Sequence, residues 1–372
     1  MSEIIQYGPK GDSIEIKNIL NFIFENNLEI SDGTERPTPI CIWGTHGLGK
    51  TQMVEDYASE RGWKFKYIAP AQFEEMGDLH GMPNVVEDEK GKKTTVYSPP
   101  DWVPSNEGPG ILLIDDINRA DDRILRGCMQ LLQNFELSSW KLPYKWQIVA
   151  TANPEGADYS VTPMDDAMLT RMLHTTLIFN PKAWAEWAVK SGVDSRGVSF
   201  VLTYPELVNT NRTTPRSLTQ FFSLIKGIDN LKENTEIVLS LALSTLDEVS
   251  ASSFINFVND DLQKLIEPES ILSSENFDEI KKNLESLSKD SEGENRTDRL
   301  STITTRLYLH ITSPSYKILE NHTENLIKFF LLECLPKDLS MSLYMDLLKS
   351  SDIDIKKMLR DERLAKFLID AM

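Results

Sequence analysis

An α/β fold with an open parallel sheet, followed by a helical region, is the architecture this 372-residue sequence predicts. Three observations predict it. Short apolar, β-favouring runs alternate with helical segments as far as Asn180. A glycine-rich stretch, residues 44–51, sits between the first such run and a helix. Beyond Asn180 the apolar spacing turns helical.

Pro39, Ile40, Cys41, Ile42 and Trp43 make the first strand. Residues 52–61 have helical composition, with Met53, Tyr57 and Ala58 at helical spacing. Between them GTHGLGKT fits the phosphate-binding template G-x-x-x-x-G-K-[ST] without a gap. Gly44, Gly47 and Gly49 let the backbone curl until successive N–H groups point at phosphate oxygens. The helix N-terminus adds its partial positive charge. Lys50 is expected to reach the β and γ phosphates, and the Thr51 hydroxyl to ligate the bridging magnesium. Thr45, His46, Leu48 and Gln52 complete the expected nucleotide-binding set.

Residues 71–110 are rich in Gly, Pro and charge. VVEDEKGKKTTVY predicts two short strands around a Glu-Lys-Gly turn, and SPPDWVP cannot be helical. A connection this long in a compact domain is usually functional. GILLID, at 110–115, is a continuous apolar strand ending in acid, as expected for one buried on both faces of a parallel sheet. Residues 121–135 run helically, Trp146–Ala152 is the next strand and 173–179 another. Such sheets bind ligands at the carboxyl ends of their strands. There Asp115 is expected to hold the metal, directly or through water, and Asp116 to orient or deprotonate an attacking water.

After Asn180, Pro181 opens a helix carrying Trp184, Trp187 and Ala188, and the two tryptophans are expected to be core. Residues 267–296 are strongly polar, and SKDSEGENRTDR within the region predicts an exposed linker or mobile loop. Residues 300–372 return to helical periodicity.

The net charge of −18 argues against extended nucleic-acid contact, which needs clustered Lys and Arg. No apolar run is long enough to span a bilayer, and the acidic start lacks the blocks of a signal peptide, so a cytoplasmic protein without membrane contact is expected. Cys41, Cys128 and Cys334 are far apart and set among apolar residues, the pattern of buried reduced thiols.

GTHGLGKT, then ILLIDDINRADDRILRGCMQLLQ, then IVATANPEGADYSVTPMDDAMLTRM, in that order and spacing, resemble the MoxR-like branch of the AAA+ ATPases, close to the dynein-related AAA group. The resemblance spans about residues 39–222. It implies a P-loop NTPase three-layer αβα domain at 1–179 with a hairpin insert at 71–110. A helical lid at 180–265 would follow, then a helical C-terminal region at 266–372 with a polar linker near 284–299. It also implies ATP and Mg2+ as ligands, hydrolysis at the subunit interfaces of a ring, expected to be hexameric, and remodelling of a partner complex, often with a von Willebrand factor A domain protein.

Carried over by residue, Asn153 matches the sensor that positions the lytic water near the γ-phosphate. Arg171, in MLTRM, matches the arginine finger given to the neighbouring subunit, and Arg216, in TTPRS, the second sensor on the lid. Arg119, in DINRA, stands where it too could face a neighbour. The EDEKGKK tip of the insert would face the pore and contact a client. One departure is Asp116, where the family usually has Glu; its carboxylate is drawn back by about one carbon–carbon bond, and a misplacement of that order can cost about 100-fold in rate. A nucleotide-gated assembly scaffold with little turnover is therefore one alternative. A nucleic-acid motor like the McrB-type GTPases is another, disfavoured by the acidic balance.

Overall fold

The computed structural model describes residues 5–30, 36–87, 89–156, 160–210, 212–260, 265–289, 295–313, 316–350 and 352–371. They fall into two units, Met1–Asn180 and Pro181–Met372. The first unit runs β1 (Lys10–Gly11), α1 (Ser13–Glu29), β2 (Ile40–Trp43), α2 (Lys50–Glu60), β3 (Lys64–Ile68), α3 (Met76–His80), β4 (Met82–Glu87), β5 (Lys93–Ser98) and β6 (Gly110–Ile114). It continues through α4 (Asp122–Asn134), β7 (Glu136–Leu137), β8 (Trp140–Lys141), β9 (Trp146–Ala152), α5 (Asp166–Leu169) and β10 (Leu173–Leu177).

Six strands make one parallel sheet in the order β1-β10-β2-β9-β6-β3. Because side chains alternate across a strand, each central strand feeds two cores. Ile40 and Ile42 of β2, Ile111 and Leu113 of β6 and Val149 of β9 pack with Ile16, Leu20 and Phe24 of α1 and Val54 and Tyr57 of α2. Cys41, Trp43, Leu112, Ile114, Ile148, Ala150 and Ala152 face the opposite way, onto Ile124, Leu125, Cys128, Leu131 and Leu132 of α4. The result is the three-layer αβα arrangement that the alternating strands and helices predict.

Helix α1 and strand β3 are among the elements in this unit that the sequence did not predict. Helix α1 opens with a capping box, Asp12 accepting from the Glu15 N–H while Glu15 accepts from the Asp12 N–H. Strand β3 forms an edge beside β6, and its alternating Lys64-Phe65-Lys66 pattern turns the lysine stems to the outer rim, where Lys64 and Lys66 donate to the Glu107 and Asp101 carbonyls.

Residues 71–110 are more ordered than their composition predicts. They hold α3 and the antiparallel β4–β5 hairpin; Asp88, in the EDEKGKK stretch, lies outside the described residues. Two tryptophans anchor its base: the Trp102 and Trp140 indoles stack edge to face at 5.3 Å and donate to the Asp78 and His80 carbonyls of α3. The short β7–β8 hairpin is tied on as well, since Ser139 Oγ accepts from the Tyr97 N–H at 3.0 Å. The arms stand in solvent, with Met82 70%, Val85 68% and Val86 52% exposed.

The second unit is helical: α6 (Pro181–Lys190), α7 (Ser195–Thr203), α8 (Pro215–Ile225), α9 (Thr235–Thr245), α10 (Glu248–Asn259), α11 (Pro268–Leu272), α12 (Phe277–Leu287), α13 (Thr297–Ile311), α14 (Glu320–Phe330), α15 (Lys337–Leu348), α16 (Ile353–Met358) and α17 (Glu362–Ala371). Trp184 is buried against Phe222, in contact with an aromatic core of Phe200, Phe221, Phe254 and Phe257. The polar stretch after Glu267 contains α12, which packs through an apolar stripe. Phe277 and Leu284 of α12 are buried, with Ile280 and Leu287 packed beside them. Within SKDSEGENRTDR, residues 290–294 lie outside the described residues, and α13 begins at Thr297. Among the described residues no helix is long and apolar enough to cross a membrane.

The three thiols are free. Burial pushes the Cys41 thiol far up and the Cys128 thiol up to about 12, so both are inert packing groups. Cys334 departs from the expectation in being only half-buried.

Gly81 joins α3 to β4 at φ +87°, where an added Cβ would lie 1.8 Å from the Ser98 carbonyl oxygen. Gly81→Ala is expected to destabilise the unit by about 2–4 kcal/mol. A lower urea midpoint at unchanged m-value checks this; an unmoved midpoint would refute the packing described.

Candidate nucleotide-binding site

Strand register assembles the site. Trp43 pairs with Ala152 and Ile114 with Ala150, so continuing each strand by one residue sets Gly44 beside Asn153 and Asp115 beside Thr151. The phosphate-binding template, the acidic pair and the expected sensor thus reach one edge of the sheet, at the carboxyl ends of β2, β6 and β9.

The loop between β2 and α2 has the conformation its glycines allow. Gly47 and Gly49 take φ of +75° and +88°, and Gly49 is the N-cap of α2. Gly44 is needed for close approach: a Cβ there would meet the Leu177 carbonyl oxygen at 3.1 Å and Leu48 Cδ1 at 3.2 Å. No side chain caps α2, and a helix N-terminus of this kind favours an anionic ligand. In front of Gly49 a Cβ would meet nothing within 4 Å. Thr45, Leu48 and Thr51 are half-buried around the loop, while His46 and Gln52 lie on its exposed side, Gln52 donating to Asp56.

Lys50 is only 6% exposed. Its Nζ donates to the Gly44 carbonyl at 2.7 Å, the Thr45 carbonyl at 3.2 Å and Asn153 Oδ1 at 3.2 Å. Asn153 is fully buried, and its Nδ2 has no hydrogen-bond partner. An unmet buried donor is costly.

The carboxylate of Asp115 is fixed from three sides. Its Oδ1 accepts from Thr51 Oγ1 at 2.8 Å and Thr151 Oγ1 at 2.7 Å, and its Oδ2 from the Tyr67 hydroxyl at 3.2 Å. Asp116 follows in the left-handed region, φ +47°, which Asp tolerates better than most side chains. Its N–H donates to Thr151 Oγ1 at 2.8 Å, and its carboxylate pairs with Arg119 Nε at 3.0 Å. Arg119, which could also face a neighbour, makes this half-exposed pair within its own chain.

Arg171 is not brought to the loop. It precedes the amino end of β10, whose Leu173 pairs with Ile40, so it lies at the opposite edge of the sheet from Gly44. There Arg171 Nε donates to Gln133 at 3.0 Å and NH1 to the Ala167 carbonyl. Arg216 belongs to the second unit, exposed in the first turn of α8 next to Pro215. Of the expected motif IVATANPEGADYSVTPMDD, residues 157–159 lie outside the described residues. Sequence reading missed Tyr67, Asn118 and Thr151. Thr151 sits two residues before Asn153 in WQIVATAN, and that spacing is the signal that places both on the same face.

These groups suit a triphosphate: uncapped helix N–H groups, a buried ammonium, an orphaned amide donor and a hydroxyl–carboxylate pair of the kind that holds magnesium. Residues 39–172 match the AAA domain of the dynein-related subfamily. The matched stretch runs from just before β2 to the residue before β10, roughly a third of the chain, and takes in every site residue named above except Arg216. Among solved structures, the chain is similar to a point mutant of Thermotoga maritima RuvB (15% identity, 70% of this chain and 81% of that chain, TM-score 0.42). It is also similar to the T. maritima RuvB Holliday junction branch migration motor (17%, 62% and 72%, TM-score 0.38). A candidate ATPase from Cytophaga hutchinsonii is similar over 93% of this chain and 88% of that one, at 13% identity and a TM-score of 0.33. No curated protein sequence matches as a relative.

Thr151→Val keeps the volume of a fully buried side chain but removes the hydroxyl shared by Asp115 and the Asp116 N–H. It is expected to cost about 1–3 kcal/mol of stability. Thermal unfolding measures the loss, and wild-type stability in this variant would contradict the assigned bonds.

Proposed function

We propose that this protein is a MoxR-like AAA+ ATPase that binds ATP with Mg2+ and hydrolyses it at the subunit interfaces of a ring, remodelling a partner protein complex. The observation that carries the reading is the pairing of Lys50 with Asn153, whose remaining amide N–H group is buried without an acceptor. A γ-phosphate oxygen, or the water attacking it, is an acceptor of the right chemistry beside a lysine on a phosphate loop. Thr51 and Asp115 would hold the magnesium, which offsets charge on the phosphate oxygens. Asp116 is the carboxylate free to leave a surface pair and take a proton from water.

Arg171 supports a shared site because it stands at the far edge of its own sheet, where only another subunit's nucleotide would meet it. In this reading Arg216 acts from a helical lid at 180–265, residues 266–372 form a C-terminal region, and the β4–β5 hairpin contacts the client. The ring is taken as hexameric, the location as cytoplasmic and a von Willebrand factor A domain protein as a partner, all on family resemblance.

The native protein is expected to turn over ATP well above Lys50→Ala, which should lose nucleotide binding. Asp116→Asn and Arg171→Ala should each lose roughly 100-fold or more in kcat. Mixing the two variants, with subunit exchange, should recover activity, roughly a quarter of the sites in a random head-to-tail ring being complete. No recovery on mixing would remove the trans role of Arg171. Shortening the hairpin between Glu87 and Lys93 should spare nucleotide affinity; loss of ATP binding there would refute its assignment to the client.

One observation favours the second reading, a nucleotide-gated scaffold with little turnover. The short Asp116 side chain lies on a left-handed turn. Asp116→Glu separates the readings: a large gain in rate over a near-silent native protein would identify the scaffold.

A further inference from the structure

We infer that Asn118 is a positioning residue for the hydrolytic step, acting as a substitute strand that aims Asn153; the inference rests on the nucleotide-site reading above. In a parallel sheet successive residues turn their N–H and C=O groups to opposite neighbours. The Ala152 carbonyl accepts from the Gly44 N–H at 3.2 Å, on the β2 side. The backbone groups of Asn153 therefore face the other side, where β6 has already ended at Ile114 and Asp115 has turned toward Ile68.

The Asn118 side chain fills that gap. Its Nδ2 donates to the Asn153 carbonyl at 2.7 Å, and its Oδ1 accepts from the Asn153 N–H at 3.0 Å. Both residues are 0% exposed. Asn118 is itself held, because its carbonyl accepts from the Thr162 N–H at 2.7 Å. A primary amide is the side chain that offers a donor and an acceptor in the spacing of a peptide group. With its main chain held in this way, Asn153 directs Oδ1 to Lys50 and keeps Nδ2 in the buried site. One N–H and the oxygen of the Asn118 amide are engaged with the Asn153 backbone, and it is through Asn153 that Asn118 would act on the nucleotide.

The test is steady-state turnover together with equilibrium binding of Mg-ATP, on the full chain. Asn118→Ala is expected to lower kcat by about 10- to 100-fold while nucleotide Kd stays within about threefold. In a double-mutant cycle, Asn118→Ala with Asn153→Ala should be no slower than Asn153→Ala alone. A merely structural role would give additive losses and a weakened Kd. Should Asn118→Ala fail to fold, Asn118→Asp carries the same comparison; it keeps the acceptor for the Asn153 N–H, loses the donor, and should show the same non-additivity. If the native protein turns over and Asn118→Ala keeps its kcat, or the cycle is additive, this inference alone is overturned. If the native protein binds no nucleotide, the site reading falls and takes this inference with it.

Discussion

The parallel register of β2, β9 and β6 is the constraint on which the site depends. Backbone pairing of Trp43 with Ala152 and of Ile114 with Ala150 decides which residues meet beyond the last rung. A slip of one residue on β9 would turn Thr151 and Asn153 to the other face of the sheet and separate both from Asp115 and Lys50. The register is itself held by burial: Ile148, Ala150 and Ala152 face α4 while Val149 faces α1 and α2. Alternating core residues thus fix polar geometry at the strand ends, and packing energy is converted into placement of the Lys50, Asp115 and Asn153 side chains.

Much of this was legible in the sequence, for identifiable reasons. The phosphate loop, the acidic strand end and β9 announce themselves because two apolar faces make continuous runs and glycines mark the turn. Helix α1 was equally written, with Asp12 and Glu15 as caps and Ile16, Leu20, Ile23 and Phe24 at helical spacing, but it precedes the motif that drew the reading. Strand β3 was hidden because, as an edge strand, it buries only Ile68 fully and carries two lysines. In α12 a polar composition masked a narrow stripe of Phe277, Ile280, Leu284 and Leu287. Composition reports what faces water; period reports what faces the core, and here period was the better guide.

The Asn118–Asn153 and Tyr67–Asp115 pairs were not legible, since neither has a sequence period. Asn118 lies 35 residues from Asn153, and Tyr67 lies 48 residues from Asp115. Such contacts exist only once the strand order β9-β6-β3 is set. Nothing in the string DINRA marks its asparagine; only the folded chain shows that Asn118 turns back to complete a ladder.

The two adjacent aspartates differ in how firmly they are held, and this difference bears on how the site works. Asp115 is bonded to three hydroxyls on three elements and has little freedom. The Asp116 carboxylate has a single ion pair, to an arginine three residues on, with 33% and 43% of the two side chains exposed. Exposed pairs of that kind are worth about 0–1 kcal/mol, so the carboxylate can be re-aimed at small cost. Its backbone cannot: the Asp116 N–H is tied to Thr151, and Asn118 two residues later is locked onto Asn153. In the proposed ATPase, a rigid turn carrying one loosely tethered carboxylate would let a proton acceptor swing toward water, with the Arg119 pair as its starting position.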